Sequence, residues 1–183
     1  MVRRARPVHN GCAESVPGGV GGASVTGMRL RCTSLQACAP GRLAAELTRP
    51  VLLCRIAWPL LTFTPVDPPV LEDRWAVKPY RFLLRVAGRV SLGEHTIDPR
   101  PPDRPDEVWH DAGHSDLVHV WDHRVELTDF YGMTRYTDVV EVRAGALTPV
   151  AWAFAQVFYR HRQRRLNRLV ARGTLERREP ARR

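Results

Sequence analysis

The feature that most constrains the fold is a long helical segment near the carboxyl end, residues 147–173. Thr148 is suited to cap the first helical turn, and Pro149 suits the next position because its φ angle is already helical. Gly173 is a natural stop, since glycine readily takes the left-handed conformation that ends many helices. A helix of about 24 residues is roughly 36 Å long, which is enough to cross the face of a small sheet.

One side of this helix is expected to face a core, because residues at steps of three and four share a helical face. The predicted inner face contains Leu147, Val150, Phe154, Val157, Phe158 and His161, and the outer face contains Gln156, Arg160, Gln163, Arg164 and Asn167. We assign Val150 and Val157 to packing. The segments before the helix are strand-like, so the sequence predicts one long terminal helix on an antiparallel sheet.

The formal charge of +9 is concentrated at the two ends of the chain. Residues 1–27 carry a net charge of +2, residues 160–183 carry +8, and residues 28–159 carry −1. The carboxyl-terminal run consists of Arg160, Arg162, Arg164, Arg165, Arg168, Arg172, Arg177, Arg178, Arg182 and Arg183. Such a run is typical of a solvated helix end, where cations also interact favourably with the helix dipole.

Anionic lipid surfaces and RNA phosphates are the other partners that these arginines fit. No aromatic stacking platform or glycine-rich phosphate loop accompanies the run, so we do not expect nucleic acid to be the partner. Peripheral contact with an anionic surface through the arginine-rich tail is the alternative that stays open.

The sequence indicates a cytoplasmic protein. The most apolar run, residues 51–63, is interrupted by Arg55 and Pro59 and is shorter than the ~20 residues that a transmembrane helix requires. No apolar signal core follows the first arginines. The cysteines form no CxxC pair, which favours reduced thiols over a disulfide framework or zinc site. They are Cys12, Cys32, Cys38 and Cys54.

The chain divides into three parts by composition. Residues 1–27 are rich in glycine, serine and alanine without any period, which predicts a disordered extension. Residues 28–172 form the predicted domain, and residues 173–183 form a basic tail. The domain begins with a strand over residues 28–35, whose inner face is Leu30, Cys32 and Ser34, and continues with two short helices that end near Pro50 and Pro59.

From Tyr80 the pattern has a period of two. Tyr80, Phe82, Leu84 and Val86 share one face, which predicts a half-buried strand. A turn at residues 87–89 leads into the next strand, where Gly93 is a candidate β-bulge. Residues 99–106 are expected to form an exposed loop, and two hairpins complete the sheet.

A histidine, an aspartate and a tyrosine are expected to converge in the second hairpin. With a turn at residues 129–132, a regular hairpin sets Leu127 opposite Thr134 and His123 opposite Asp138. Tyr136 lies on the same face. If this face is concave, the three groups form part of a ligand site in an apolar pocket. The alternative is a buried hydrogen-bonded group that only stabilises the sheet.

Metal binding is not expected. His110 with His114, and His119 with His123, have four-residue spacings that would suit metal ligands on a helix. These segments are predicted strands, where four residues span ~13 Å, which is too far for one ion. No cofactor is expected either.

The order of elements, with several stretches of sequence, resembles the START/polyketide-cyclase superfamily. The stretches are WDHRVEL (121–127), TRYTDVVEV (134–142), LTPVAWAFAQVFYRHRQRRLNRL (147–169) and, at the front, MRLRCTSLQACAPGRLAAEL. The resemblance covers about residues 28–172. It implies an α+β helix-grip fold, in which a curved antiparallel sheet of about seven strands wraps around a long C-terminal helix and two short helices follow the first strand.

The resemblance also implies a cavity between sheet and helix that binds a hydrophobic small molecule, which is lipid-, sterol- or polyketide-like. The expected ligand contacts are Tyr80, Phe82, Leu84, His119, Trp121, Phe154 and Phe158. Some relatives are cyclases or aromatases, so the alternative is a polyketide cyclase/dehydratase that uses His123, Asp138 and Tyr136. A second alternative is a basic interaction module that binds RNA or anionic surfaces through the C-terminal arginines.

Overall fold

A computed structural model describes residues 27–175, and the elements follow the predicted order. They are β1 (Met28–Gln36), α1 (Pro40–Leu47), α2 (Pro50–Ala57), β2 (Leu61–Asp67), β3 (Tyr80–Val86), β4 (Val90–Ile97), β5 (Pro99–Arg100), β6 (Glu107–Ser115), β7 (Val120–Phe130), β8 (Met133–Arg143), a 3₁₀ turn (Gly145–Leu147) and α3 (Thr148–Ala171). The predicted extension lies, apart from Gly27, outside the described residues. So does the predicted tail beyond Leu175.

The strands form one antiparallel sheet in the order β1-β8-β7-β6-β4-β3-β2, and β5 pairs with β6. Helix α3 packs mainly against β1 and α2. One core cluster joins Leu30 of β1, Phe82 of β3, Val140 of β8 and Phe158 of α3, so the sheet closes around the helix. The predicted α+β helix-grip architecture is confirmed. Between residues 27 and 175 no helix is long and apolar enough to cross a bilayer.

Local signals account for several strand features. The inner face of β1 carries the predicted Leu30, Cys32 and Ser34, all buried. A bulge in β4 lies beside Gly93, which has a φ of +84°, as predicted. The prediction of a loop over the whole of residues 99–106 is wrong at its start, because the first two residues pair with β6 as strand β5.

The β7–β8 hairpin is tighter than predicted. The strands extend to Phe130 and Met133, and the turn consists of Tyr131 and Gly132, with φ angles of 52° and 77°. Two consecutive positive φ angles are the signature of a two-residue hairpin turn that matches the sheet twist. The predicted register is therefore wrong by two residues: His123 is opposite Val140. A shift of two leaves every side chain on its predicted face.

The buried face of α3 differs from the predicted inner face. It consists of Thr148, Ala155, Phe158, Tyr159, Arg162, Gln163 and Leu166. Val150 and Val157 are 68% and 56% exposed, so their assignment to packing is wrong. Gln163, predicted to face outward, is fully buried. The helix is rotated relative to the predicted orientation because Arg162 and Gln163 interact with polar groups on the sheet.

The two ends of α3 follow different rules. Thr148 does not cap a helical amide as predicted; its hydroxyl accepts the Ala144 N–H at 2.9 Å and donates to the Gly145 carbonyl at 2.7 Å, which fixes the preceding turn. At the other end Gly173, with a φ of +61°, stops the helix as predicted. The N–H groups of Gly173 and of the next residue bond back to the carbonyls of residues 170 and 169, a Schellman motif.

The residue after this motif is tied to the domain. Leu175 is buried in the second core cluster, together with Leu43 and Leu166. Arg55 of α2 donates to the carbonyl oxygens of Thr174 and Leu175 at 3.0 and 3.2 Å. The packed body therefore continues to residue 175.

Candidate functional site

A cavity of about 320 Å³ lies between α3, α2 and the inner face of the sheet. Its wall is dominated by aromatic side chains: Phe63, Trp75, Trp109, Trp121, Phe154 and Phe158. Aliphatic groups from α2 and β4 fill the spaces between them. A largely apolar concavity of this size is the usual form of a small-molecule site.

The cavity opens beside the start of α3. Leu117, Leu147 and Val150 line the cavity and are each at least half exposed. Leu147 and Val150 were predicted to face the core, and they lie at this exposed mouth instead.

The opposite end of the cavity is polar, and we call it the inner end, defined by Asp111, His123 and Arg162. Arg162 lies twelve residues after Val150 on α3. At 1.5 Å per residue the inner end is thus roughly 18 Å from the mouth. The remaining wall is mostly apolar, and its other polar side chains are Glu94, His95, Ser115 and Tyr159.

The predicted histidine, aspartate and tyrosine come together behind the inner end. His123 Nε2 lies 2.8 Å from Asp138 Oδ1, and the Tyr136 hydroxyl donates to the same oxygen at 2.8 Å. Gln163 donates to Asp138 Oδ2 at 2.9 Å. His123 lines the cavity, whereas Asp138 and Tyr136 are fully buried behind it.

This arrangement decides the protonation of the pair. Burial alone would raise the pKa of Asp138, but the charge of Arg162 and the hydrogen bond from His123 outweigh it and leave the pKa lowered. Burial, followed by the charge of Arg162, lowers the pKa of His123. A neutral imidazole therefore donates its Nε2 proton to an ionised carboxylate, which leaves an acceptor lone pair on Nδ1.

Asp111 is a site residue that the sequence analysis missed. It is directly opposite His123 in the β6–β7 register and is 5% exposed. Its Oδ1 accepts the Asp98 N–H at 2.8 Å. Burial raises the pKa of Asp111 to about 7, although that hydrogen bond and the charge of Arg162 act in the other direction. Its position opposite His123 would have identified Asp111, but that position is known only once the pairing of β6 with β7 is known.

Arg162 is the second missed residue. It is 6% exposed, so its assignment to the solvated arginine run is wrong. Within residues 27–175 no carboxylate lies within 4.0 Å of its guanidinium, and its Nε has no hydrogen-bond partner. Burial lowers the pKa of Arg162, but Tyr136 and Asp138 more than compensate and raise it. A permanent cation therefore lies at the inner end.

The predicted ligand contacts divide into two groups. Leu84, Trp121, Phe154 and Phe158 line the cavity. Tyr80, Phe82 and His119 lie outside the cavity wall. Trp75, from the loop before β3, packs edge-on against the rings of Tyr80 and Phe82, with ring centroids 4.8 and 6.2 Å apart. Trp75 lines the cavity where Tyr80 and Phe82 were expected to do so. His119 is exposed just before β7 begins.

One group of potential metal ligands lies elsewhere in the described part of the chain. Ligand atoms of Asp103, Glu107 and His110 lie within 4.8 Å of one another. The guanidinium of Arg124 is 3.6 Å from each of the two carboxylates, so a cation already lies beside them. His110 also bonds to Asp122 through Nε2 at 3.0 Å. We read this group as an ion-pair network.

Comparison with protein families and with curated sequences finds no match. Solved structures do match. A START superfamily protein from Mycobacterium smegmatis has a TM-score of 0.58 at 12% identity, over 80% of this chain and 99% of that one. An AHSA1-like protein from Aeromonas hydrophila has a TM-score of 0.53 at 12% identity, over 83% and 99%. A protein from Rhodobacter sphaeroides has a TM-score of 0.58 at 19% identity, over 87% and 97%. At these identities the likeness extends to the fold alone, and it is the fold predicted from the sequence.

Proposed function

We propose that the protein binds a hydrophobic small molecule in the cavity between the sheet and α3. The observation that carries the proposal is the cavity itself: about 320 Å³, with largely aromatic and aliphatic walls and few polar groups. Burial of apolar ligand surface supplies the affinity, and the few polar groups orient the ligand. Lipid-, sterol- and polyketide-like molecules fit this description.

The proposal is tested with N-phenylnaphthylamine, a neutral apolar fluorophore whose emission rises in an apolar site. We expect saturable binding to the full-length protein. Phe154→Ala removes part of the cavity wall and should weaken binding by about tenfold. Val157→Ala is the matched control, because Val157 lies on the same helix but is exposed and outside the cavity.

The proposal fails if the fluorophore does not bind saturably, or if both variants change its affinity equally. Native mass spectrometry of the purified protein adds an independent test. A co-purified apolar molecule that is lost in Phe154→Ala would identify the ligand directly.

A second candidate function is acid–base catalysis on the bound ligand, as in a polyketide cyclase/dehydratase. The observation that favours it is the facing pair His123 and Asp111 in the cavity wall. His123 Nδ1 is suited to accept a proton, since Asp138 fixes the ring and Tyr136 supports Asp138. Asp111, with its pKa raised by burial to about 7, is suited to return one.

His123→Gln separates the two candidates. An enzyme should lose turnover by about 10²- to 10⁴-fold in this variant while still binding N-phenylnaphthylamine. A carrier has no turnover to lose. The third candidate, a basic interaction module, would instead require binding to RNA or anionic vesicles that depends on the C-terminal arginines. The cytoplasmic location remains a prediction.

A further inference from the structure

We infer that the inner end of the cavity is a subsite for a neutral oxygen-bearing group, a carbonyl with a hydroxyl beside it, and that it selects against carboxylates. This inference rests on the proposed function and specifies the ligand class. It follows from the hydrogen-bonding roles and charges of four side chains: Asp111, His123, Tyr159 and Arg162.

Two of these side chains offer donors. Arg162 lines the cavity with a guanidinium that has only donor atoms and no carboxylate within 4.0 Å among the described residues. Tyr159 also lines the cavity; its oxygen accepts the Trp121 indole N–H at 3.1 Å, which leaves its own proton for another acceptor. Buried donors need acceptors, and the oxygen of a ligand carbonyl satisfies both.

The other two side chains offer one acceptor and one more donor. His123 donates through Nε2 to Asp138, so its Nδ1 carries a lone pair. The Oδ1 atom of Asp111 accepts a backbone N–H, so the proton of the neutral carboxyl lies on its second oxygen, which is then a donor. A ligand hydroxyl near the carbonyl donates to His123 Nδ1 and accepts the proton of the Asp111 carboxyl. The subsite thus matches a group that both accepts and donates.

Charge decides against an anionic end group. The cation Arg162 is balanced by ionised Asp138: each of the two shifts the pKa of the other, and both act on the pKa of Tyr136. Below pH 7, with His123 neutral and Asp111 protonated, the inner end has no net charge. A carboxylate would add an unbalanced negative charge at a buried site.

A displacement experiment with three ligands of similar shape tests the inference in the full-length protein. They are acetonaphthone, a neutral ketone; naphthoate, a carboxylate; and methylnaphthalene, which has no polar group. Each competes with bound N-phenylnaphthylamine at pH 6. We expect acetonaphthone to bind about tenfold more tightly than methylnaphthalene, because its carbonyl oxygen accepts a hydrogen bond from a charged donor. We expect naphthoate to bind most weakly.

Equal affinities for the three ligands, or tightest binding of naphthoate, would overturn the inference while the proposed function stands. Failure of N-phenylnaphthylamine itself to bind is a different result, since it removes the proposed function. The two failures are therefore distinguishable in one titration series.

Two variants assign the effect to the inner end. Arg162→Met should abolish the preference for acetonaphthone over methylnaphthalene. Because this variant leaves Asp138 unbalanced and risks misfolding, Tyr159→Phe is the second: it removes a donor but keeps the ring, and should lower acetonaphthone affinity severalfold with methylnaphthalene unchanged. Phe154→Leu is the control and should weaken all three ligands by one factor. An unchanged preference in both inner-end variants would refute the subsite.

Discussion

Replacing Asp111 by asparagine is expected to stabilise the protein at high pH far more than at low pH. Burial raises the pKa of Asp111 from 3.8 to about 7. Between these pH values the unfolded chain has released the proton that the folded protein keeps, so stability falls as the pH rises towards 7 and stays low above it. Asparagine has the shape of the protonated acid, can still accept the Asp98 N–H, and does not titrate.

The size of the effect follows from that interval. Each pKa unit is worth about 1.4 kcal/mol, so the folded wild type loses roughly 3 kcal/mol between pH 5 and pH 7 relative to the variant. The groups around Asp111 include Arg162 on α3, Asp98 before β5 and Asp122 on β7. His95 on β4, whose pKa burial lowers to about 4, produces the opposite slope in both proteins and cancels in the comparison.

Urea unfolding of both proteins at pH 5 and pH 8 measures this difference. The free energy of unfolding of Asp111→Asn, relative to wild type, should rise by roughly 3 kcal/mol between the two pH values, or about 6–12 °C in melting temperature. A difference that is the same at both pH values would mean that Asp111 is ionised throughout, and it would refute the argument that burial keeps this carboxyl protonated.

Three further substitutions test other parts of the structure. His123→Ala should lower the free energy of unfolding by roughly 1–3 kcal/mol, because Asp138 loses one buried partner. An unchanged melting temperature would contradict the buried position of the His123–Asp138 pair. Gly113→Ala should destabilise by about 1–3 kcal/mol, since the new Cβ meets a backbone oxygen of β4 at 3.0 Å; a neutral result in urea would show that the strands give way. Leu175→Ala should cost about 2–5 kcal/mol, whereas the exposed Val157→Ala should cost almost nothing.

Strand faces could be predicted from the sequence because their period is two and their burial is one-sided. Tyr80 and Phe82 are buried on the predicted side of β3. His123 and Asp138 meet although the predicted hairpin register was wrong, because an error of two residues preserves the face. The predicted turn was too long because the sequence does not show that Tyr131 has a positive φ angle, which is uncommon outside glycine and asparagine.

The inner end of the cavity could not be predicted in the same way. Hydrophobic periodicity predicts that Arg162 and Gln163 face outward. Both are buried, because they interact with polar groups on β1 and β8. Asp111 is recognisable only when β6 is aligned with β7. Trp75 lies in a loop without any periodic signal, and it occupies the space in which Tyr80 and Phe82 were expected to meet the ligand.

The pairing of β1 with β8 also sets an order of events during synthesis. The first strand leaves the ribosome with Leu30 and Cys32 uncovered, and its partner strand lies about a hundred residues later. At ~5–20 residues per second, that interval is roughly 5–20 s. Until then one edge of the nascent chain is unpaired and its apolar face is open to solvent. Helix α3, which covers that face, is made later still. The complete sheet and the core between β1 and α3 therefore form only after both β8 and α3 have been made.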